Sequence, residues 1–121
     1  MGKKILIVDD AMFMRKVIRR YLEHGGYTDI LEAEDGEQGH ELYRKHKPDL
    51  VLLDITMPGK SGIEVLEDIL EEDPQGKIVM CSAVGQEMMI QKALVSGAAD
   101  FIVKPFKEEE FIRVVNASLQ N

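Results

Sequence analysis

Two hydrophobic patterns alternate along the chain. Short β-rich runs, apolar after an opening lysine in two of them, occur at Lys4-Ile5-Leu6-Ile7-Val8, Leu50-Val51-Leu52-Leu53, Lys77-Ile78-Val79-Met80-Cys81 and Phe101-Ile102-Val103. A run without a polar face suits a strand buried on both sides; the mixed run Asp29-Ile30-Leu31-Glu32-Ala33-Glu34 suits an edge strand. Between these runs, apolar residues recur with helical period. Met14, Val17, Ile18, Tyr21 and Leu22 form one face, stopped by Gly25-Gly26. Ile63, Leu66, Ile69 and Leu70 form another, stopped by Asp73-Pro74. Phe111, Ile112, Val115 and Leu119 form a third, opened by Glu108-Glu109-Glu110, whose charges suit the positive end of a helix dipole. Gly36 to His46 and Gln86 to Ser96 are expected to be helical with poorer periodicity, and Gly39 inside the first costs about 1 kcal/mol relative to Ala. Strand–helix alternation repeated through the chain predicts an α/β fold, a parallel sheet with helices on both faces. No internal repeat, linker or low-complexity stretch interrupts it.

Composition narrows the function classes. The 121 residues carry 15 Lys+Arg against 22 Asp+Glu, a net charge of 15 − 22 = −7. That balance argues against nucleic-acid binding, which needs a cationic face. A hydrophobic content of 45% with 31% charged residues excludes a disordered tail. A chain this long buries about two-thirds of its surface, enough for one core and one domain. No apolar run approaches the roughly 18 residues of a membrane span, and Met1-Gly2-Lys3-Lys4-Ile5 lacks a signal-peptide pattern. The single cysteine, Cys81, cannot form an internal disulfide and suits a reducing compartment. The expectation is an acidic, soluble, cytoplasmic domain.

Open parallel sheets bind ligands beyond the carboxyl ends of their strands. The residues expected there are Asp9-Asp10, Asp54, Ser82-Ala83 and Lys104-Pro105. Carboxylates gathered at one sheet edge repel one another and need more counter-charge than Lys104 supplies. A hard divalent cation provides it, and Mg2+ is commonly held by one or two carboxylates with water and phosphate oxygens. A carboxylate can also attack phosphorus and form an acyl phosphate. Asp54 stands alone and is the candidate nucleophile, whereas Asp9 and Asp10 form a metal-binding pair. Ser82 can donate its hydroxyl to one phosphoryl oxygen, and Lys104 can ion-pair with another. Each residue also has a plainer reading: Asp10 as a helix cap, Asp54 as a turn residue, Ser82 as a cap, Lys104 as a solvated charge. All of these would have to hold independently at one sheet edge. The joint pattern favours chemistry.

This set resembles the receiver domain of two-component response regulators over essentially the whole chain. The stretches Ile5-Leu6-Ile7-Val8-Asp9-Asp10, Asp54-Ile55-Thr56-Met57-Pro58, Ser61-Gly62 and Phe101-Ile102-Val103-Lys104-Pro105-Phe106 carry the resemblance. It implies a flavodoxin-like (βα)5 doubly wound sheet of strand order 2-1-3-4-5. It implies phosphorylation of Asp54 by a histidine kinase, with Mg2+ bound by Asp10, Asp54 and the Thr56 backbone carbonyl, and Asp9 assisting through a metal-bound water. Ser82, Ala83 and Lys104 would contact the phosphoryl group, and the Lys104–Pro105 bond would be cis. Self-catalysed phosphorylation and autodephosphorylation would be the only reactions, with no enzyme turnover.

Among receivers, Asp10-Ala11-Met12-Phe13-Met14-Arg15 and Cys81-Ser82-Ala83-Val84-Gly85-Gln86 are similar to the stand-alone chemotaxis (CheY-like) type of thermophilic bacteria and archaea. The length leaves no room for an output domain, so residues 1–121 are expected to form a single receiver and a monomer. The implied partners are a CheA-like histidine kinase, a downstream flagellar switch or adaptor protein, and a phosphatase, with neither nucleic acid nor membrane. A free-standing phosphorelay receiver, or one excised from a larger regulator, is the alternative. Thr56 stands where Asn is frequent in that type, which bears on dephosphorylation rate. Phe101 stands at the aromatic switch position, often Tyr, and cannot make a hydroxyl hydrogen bond. In the implied switch, Ser82 moves toward the phosphoryl group, Phe101 fills the vacated space, and the face of Gln86–Ser96, Phe101 and Phe111–Leu119 changes shape for a partner.

Other motifs carry less. Pro58-Gly59-Lys60-Ser61 looks like the tail of a P-loop, but the earlier glycine that motif needs is Asp54. His24, His40 and His46 lack metal-ligand spacing and read as solvated or capping residues. Cys81 reads as a buried, inert thiol. Met88 and Met89 read first as core and second as a Met-rich partner surface. Asn116-Ala117-Ser118 matches a glycosylation acceptor without an export signal to make it relevant. An aspartyl-phosphate phosphatase of the haloacid dehalogenase type would want a second Asp where Thr56 stands. A flavin module has only fold analogy behind it.

Overall fold

The computed structural model describes residues 2–120. Strands and helices alternate as β1 (Lys4–Val8), α1 (Met12–His24), β2 (Asp29–Ala33), α2 (Gly36–His46), β3 (Leu50–Asp54), α3 (Gly62–Glu72), β4 (Ile78–Ala83), α4 (Glu87–Val95), β5 (Asp100–Lys104) and α5 (Glu108–Gln120). The sheet order is β2-β1-β3-β4-β5, all parallel. The doubly wound expectation holds, and the mixed run does lie at an edge. Among the described residues no helix is long and apolar enough to cross a membrane.

Strand alternation sorts the core into two layers. Leu6, Val8, Val51, Leu53, Ile78 and Met80 face α2, α3 and α4. Ile5, Ile7, Leu50, Leu52, Val79 and Cys81 face α1 and α5, against Ile18, Leu22, Phe111 and Val115. Both faces are covered, which is why these strands carry no polar alternation. Gly39 lets α2 come down onto β1: a Cβ there would stand 2.8 Å from Val8 Cγ2. Its helix penalty is therefore offset by a close approach that Ala would obstruct.

Several boundaries differ from the sequence reading. β4 begins at Ile78 rather than Lys77 and continues through Ser82 and Ala83, so those two end the strand rather than follow it. Lys104 likewise closes β5. β2 stops at Ala33, one residue before Glu34. Gln86 is the N-cap of α4 rather than its first turn. Phe111 and Val115, expected on a partner-facing surface, are fully buried. The Phe111 ring stacks on Phe106 at 5.1 Å, so the apolar stripe of α5 is core. Met88 goes the other way: it is 84% exposed while its neighbours Ile90 and Ala93 fill the core. His40 is buried against Glu72, its Nε2 at 3.2 Å, because α2 and α3 close over it. His24 remains largely exposed, with Nδ1 3.0 Å from Glu108.

Candidate functional site

The same alternation that builds the core assembles the site. Asp54 is the last residue of β3, two beyond Leu52, and therefore shares the α1/α5 side with Cys81, its register partner on β4. Lys104 ends β5 two residues beyond Ile102, on the same side. Asp9 continues the β1 alternation of Ile5 and Ile7, and its amide still bonds the Ala33 carbonyl at 3.1 Å. Three strands thus deliver two buried carboxylates and one ammonium to a common point. Lys104 Nζ lies 3.0 Å from Asp9 Oδ2 and 3.4 Å from Asp54 Oδ1. Asp10 is exposed at the rim, and carboxylate oxygens of Asp9, Asp10 and Asp54 lie within 4.8 Å of one another. Asp10 does not cap α1: Ala11 is the N-cap, and the Ala11 amide donates to Asp9 Oδ1 at 2.9 Å.

The electrostatics follow from burial and crowding. Asp54 is 8% exposed. Burial first, then the charge of Asp9, push its carboxyl up from 3.8 to about 6, with Lys104 and the Thr56 amide pulling the other way. Burial by itself would lower the Lys104 pKa, but the bond to Asp9 and the charges of Asp54 and Asp9 leave it raised. Asp54 therefore stays mostly ionised at neutral pH, as a nucleophile or metal ligand must. One lysine against three carboxylates leaves the cluster short of positive charge. Clustered acidic oxygens with an excess of negative charge fit a hard divalent cation.

Other parts of the site have structural reasons of their own. Gly62 opens α3 directly beneath Asp54, where a Cβ would lie 2.1 Å from the Asp54 carbonyl oxygen. Ser61 and Glu64 close a capping box at that helix start. Ser82 occurs on the opposite alternation from Cys81, in register with Val103; its hydroxyl is buried and has no hydrogen-bond partner among the described residues. A buried, unpaired hydroxyl one residue beyond the register partner of Asp54 is an unmet polar group of the kind an incoming oxygen satisfies. Lys104–Pro105 is cis. Phe101 is half-exposed at the rim of a groove of about 430 Å³ with Val84, Gln86, Ile90 and Leu94. Cys81 is buried and its thiol pushed up to about 12 by that burial, in keeping with the inert reading.

Sequence reasoning missed two groups. Arg15 donates to the Asp9 carbonyl at 2.7 Å and to Glu32 at 3.1 Å, bracing the loop that holds the acidic pair. Gln86 bonds both Ala83 and Thr56. Both are ordinary polar residues on helix ends, and no local spacing marks them.

A doubly wound sheet with carboxylates and a lysine gathered at its carboxyl edge is the arrangement of a receiver, and the chain belongs to the response regulator receiver domain family, whose model matches residues 5–116. Membership makes it a phosphoacceptor rather than a classical enzyme, with a histidine kinase as the general kind of partner. Within the family the chain is similar to the chemotaxis protein CheY of Bacillus subtilis (strain 168), 48% identical over 119 residues, covering 98% of this chain and 99% of that protein. It is also similar to protein CcdB of the same organism, 50% identical over 113 residues, covering 93% of this chain and 94% of that protein. Among solved structures, the receiver domain of NtrX from Brucella abortus superposes with a TM-score of 0.93 at 32% identity, covering 98% of this chain and 99% of that one. The chain is CheY-like.

Proposed function

We propose that the chain is a stand-alone receiver that takes a phosphoryl group onto Asp54 and changes its affinity for a partner in chemotaxis signalling. The observation that carries this reading is the pairing of a half-neutralised, buried Asp54 with a lysine 3.4 Å away and a buried, unpartnered Ser82 hydroxyl. One carboxylate oxygen of Asp54 attacks phosphorus of a phosphohistidine whose other ring nitrogen carries a proton; a P–O bond forms, the P–N bond breaks, and the electron pair leaves with neutral imidazole. Lys104 and the Ser82 hydroxyl, with the Ala83 amide, receive the equatorial oxygens. Asp10, Asp54 and the Thr56 carbonyl, with Asp9 assisting, would hold Mg2+, which would supply the charge neutralisation that three carboxylates and a phosphoryl group require. Phe101 then follows Ser82 as the switch. The name and coverage of the Bacillus subtilis CheY support chemotaxis as the setting. A flagellar switch or adaptor protein is the downstream class.

Intact-mass analysis after incubation with Mg2+ and acetyl phosphate, beside Asp54→Asn, tests the reading. A single phosphoryl adduct that needs Mg2+ and is absent from the variant is the expected result. An adduct that persists in the variant would move the acceptor elsewhere. If no adduct forms and beryllofluoride does not bind, the receiver chemistry is lost.

A further inference from the structure

A side chain outside the metal and phosphoryl sets spans the mouth of the acidic cluster. Gln86 Oε1 accepts from the Ala83 amide at 2.7 Å, and Gln86 Nε2 donates to Thr56 Oγ1 at 2.5 Å. Thr56 lies two residues beyond Asp54, and its amide hydrogen-bonds that carboxylate. Ala83 ends β4 in register with Lys104, whose ammonium reaches Asp54 Oδ1 at 3.4 Å. One amide side chain therefore ties together the two loops that flank Asp54. Its position makes this unusual. Gln86 is the N-cap residue of α4, and no side chain caps that helix. The oxygen that could accept from the helix's own first amides reaches backwards instead.

A backbone amide carries one proton to donate. While Gln86 Oε1 holds the Ala83 amide, that amide is not free for a phosphoryl oxygen. We propose that Gln86 is a latch that favours the unphosphorylated state by competing for the Ala83 amide, with Thr56 as its strike plate. The latch rests on the receiver reading of Asp54. When a phosphoryl oxygen takes the Ala83 amide, Gln86 is released from both loops and the start of α4 loses its tie to β3. Thr56 then acts through Gln86 as a positioning residue, and a side chain at this position affects switching without touching phosphorus.

The experiment is a titration of the full chain with beryllofluoride and Mg2+, followed by amide NMR. It compares wild type, Gln86→Ala, Thr56→Val and the double variant. Removing a competitor present only in the free state tightens beryllofluoride binding by about two- to tenfold, the worth of one net hydrogen bond. Thr56→Val keeps the backbone carbonyl and is expected to tighten binding in the same direction. The double variant binds no more tightly than Gln86→Ala, because Thr56 has nothing left to hold. The Ala83 amide resonance shifts in Gln86→Ala in the free protein but coincides with wild type in the beryllofluoride-bound protein, whereas a merely structural bond kept in both states would shift it in both. Equal or weaker binding by Gln86→Ala, or fully additive effects in the double variant, would overturn the latch and leave the receiver intact. Failure of all four proteins to bind beryllofluoride would overturn the receiver reading and the latch together.

Discussion

Helices α2 and α3 meet along a seam tied at every level, whereas α4 lies against the same sheet with few ties. Across the α2–α3 seam Arg44 grips Glu72 through two bonds of 2.9 and 2.6 Å, Tyr43 donates to Asp73 at 2.7 Å, and His40 Nε2 lies 3.2 Å from Glu72. The bonds from Arg44 hold the Glu72 carboxyl down at about 2. Exposed pairs of this kind are individually worth little, so close packing beneath them must do most of the holding. Helix α4 contrasts in each respect. Its start has no side-chain cap and its apolar and polar faces are poorly segregated. Met88 and Val95 are each 84% exposed. Among the described residues its side-chain hydrogen bonds to the rest are those of Gln86 and a 3.3 Å bond from Ser96 to Glu67. The backbone of Asp54 is packed against the start of α3 at Gly62, and Ser82 lies at the end of β4 that leads into the loose helix. A receiver needs that division: the chemistry must be positioned, and the response must be free to move.

The hardest blow to the comparison falls at Gly62. A Cβ there meets backbone, the Asp54 carbonyl at 2.1 Å and Ile55 Cα at 2.8 Å, and neither can swing aside. Gly62→Ala is expected to lose about 3 kcal/mol of stability through overpacking, read as a lower denaturation midpoint at unchanged m value. A loss under about 0.5 kcal/mol would show that the start of α3 yields easily and that the seam is not rigid where it matters.

The rigid side also carries an electrostatic load, which pH can expose. The Asp54 carboxyl titrates at about 6 in the fold against 3.8 ordinarily. The folded state therefore binds this proton more tightly than the unfolded state. Its contribution to stability is fully present below the unfolded value and is lost as pH rises through about 6. At neutral pH the ionised group weakens the fold by about 3 kcal/mol. Asp54→Asn is expected to be more stable than wild type by about that amount at neutral pH, with the gain vanishing below the ordinary carboxylate range. Urea denaturation across that pH range checks it, and a variant no more stable at neutral pH would mean that the cluster relaxes and is less rigidly held than the seam suggests.

How much of this could be read beforehand depends on whether a feature is local. The strands around Ile5–Val8 and Leu50–Leu53 were legible because burial on both faces removes polar alternation. Asp9, Asp10, Asp54 and Lys104 were legible because a parallel sheet brings its strand ends to one edge. The stripe Phe111, Val115 was visible as a stripe, but periodicity does not say what covers it; stacking on Phe106 settles that. Gln86 left no trace, since its partner Thr56 is 30 residues away and the bond depends on two loops meeting. His40 likewise looks solvated until α2 and α3 close over it.

The smallest expected effect sits on the loose side. Met88→Gln is expected to change stability by less than about 0.5 kcal/mol and to leave phosphoryl adduct formation unaltered, measured by denaturation and intact mass. The reason lies in the helix's own packing: Ile90 and Ala93 make its buried face, and Met88 contributes 84% of itself to solvent. A large loss would mean that α4 depends on Met88 and is held more firmly than its surface suggests. The neutral outcome is the more instructive one. It would show that folding does not require an apolar residue here, although Met88 and Val95 are exposed on the same helix as Leu94, which lines a groove with Val84 and Phe101. Apolar surface gathered in this way, and not needed for the fold, is what a partner-binding face requires, and it lies on the helix whose start is free to respond to the site.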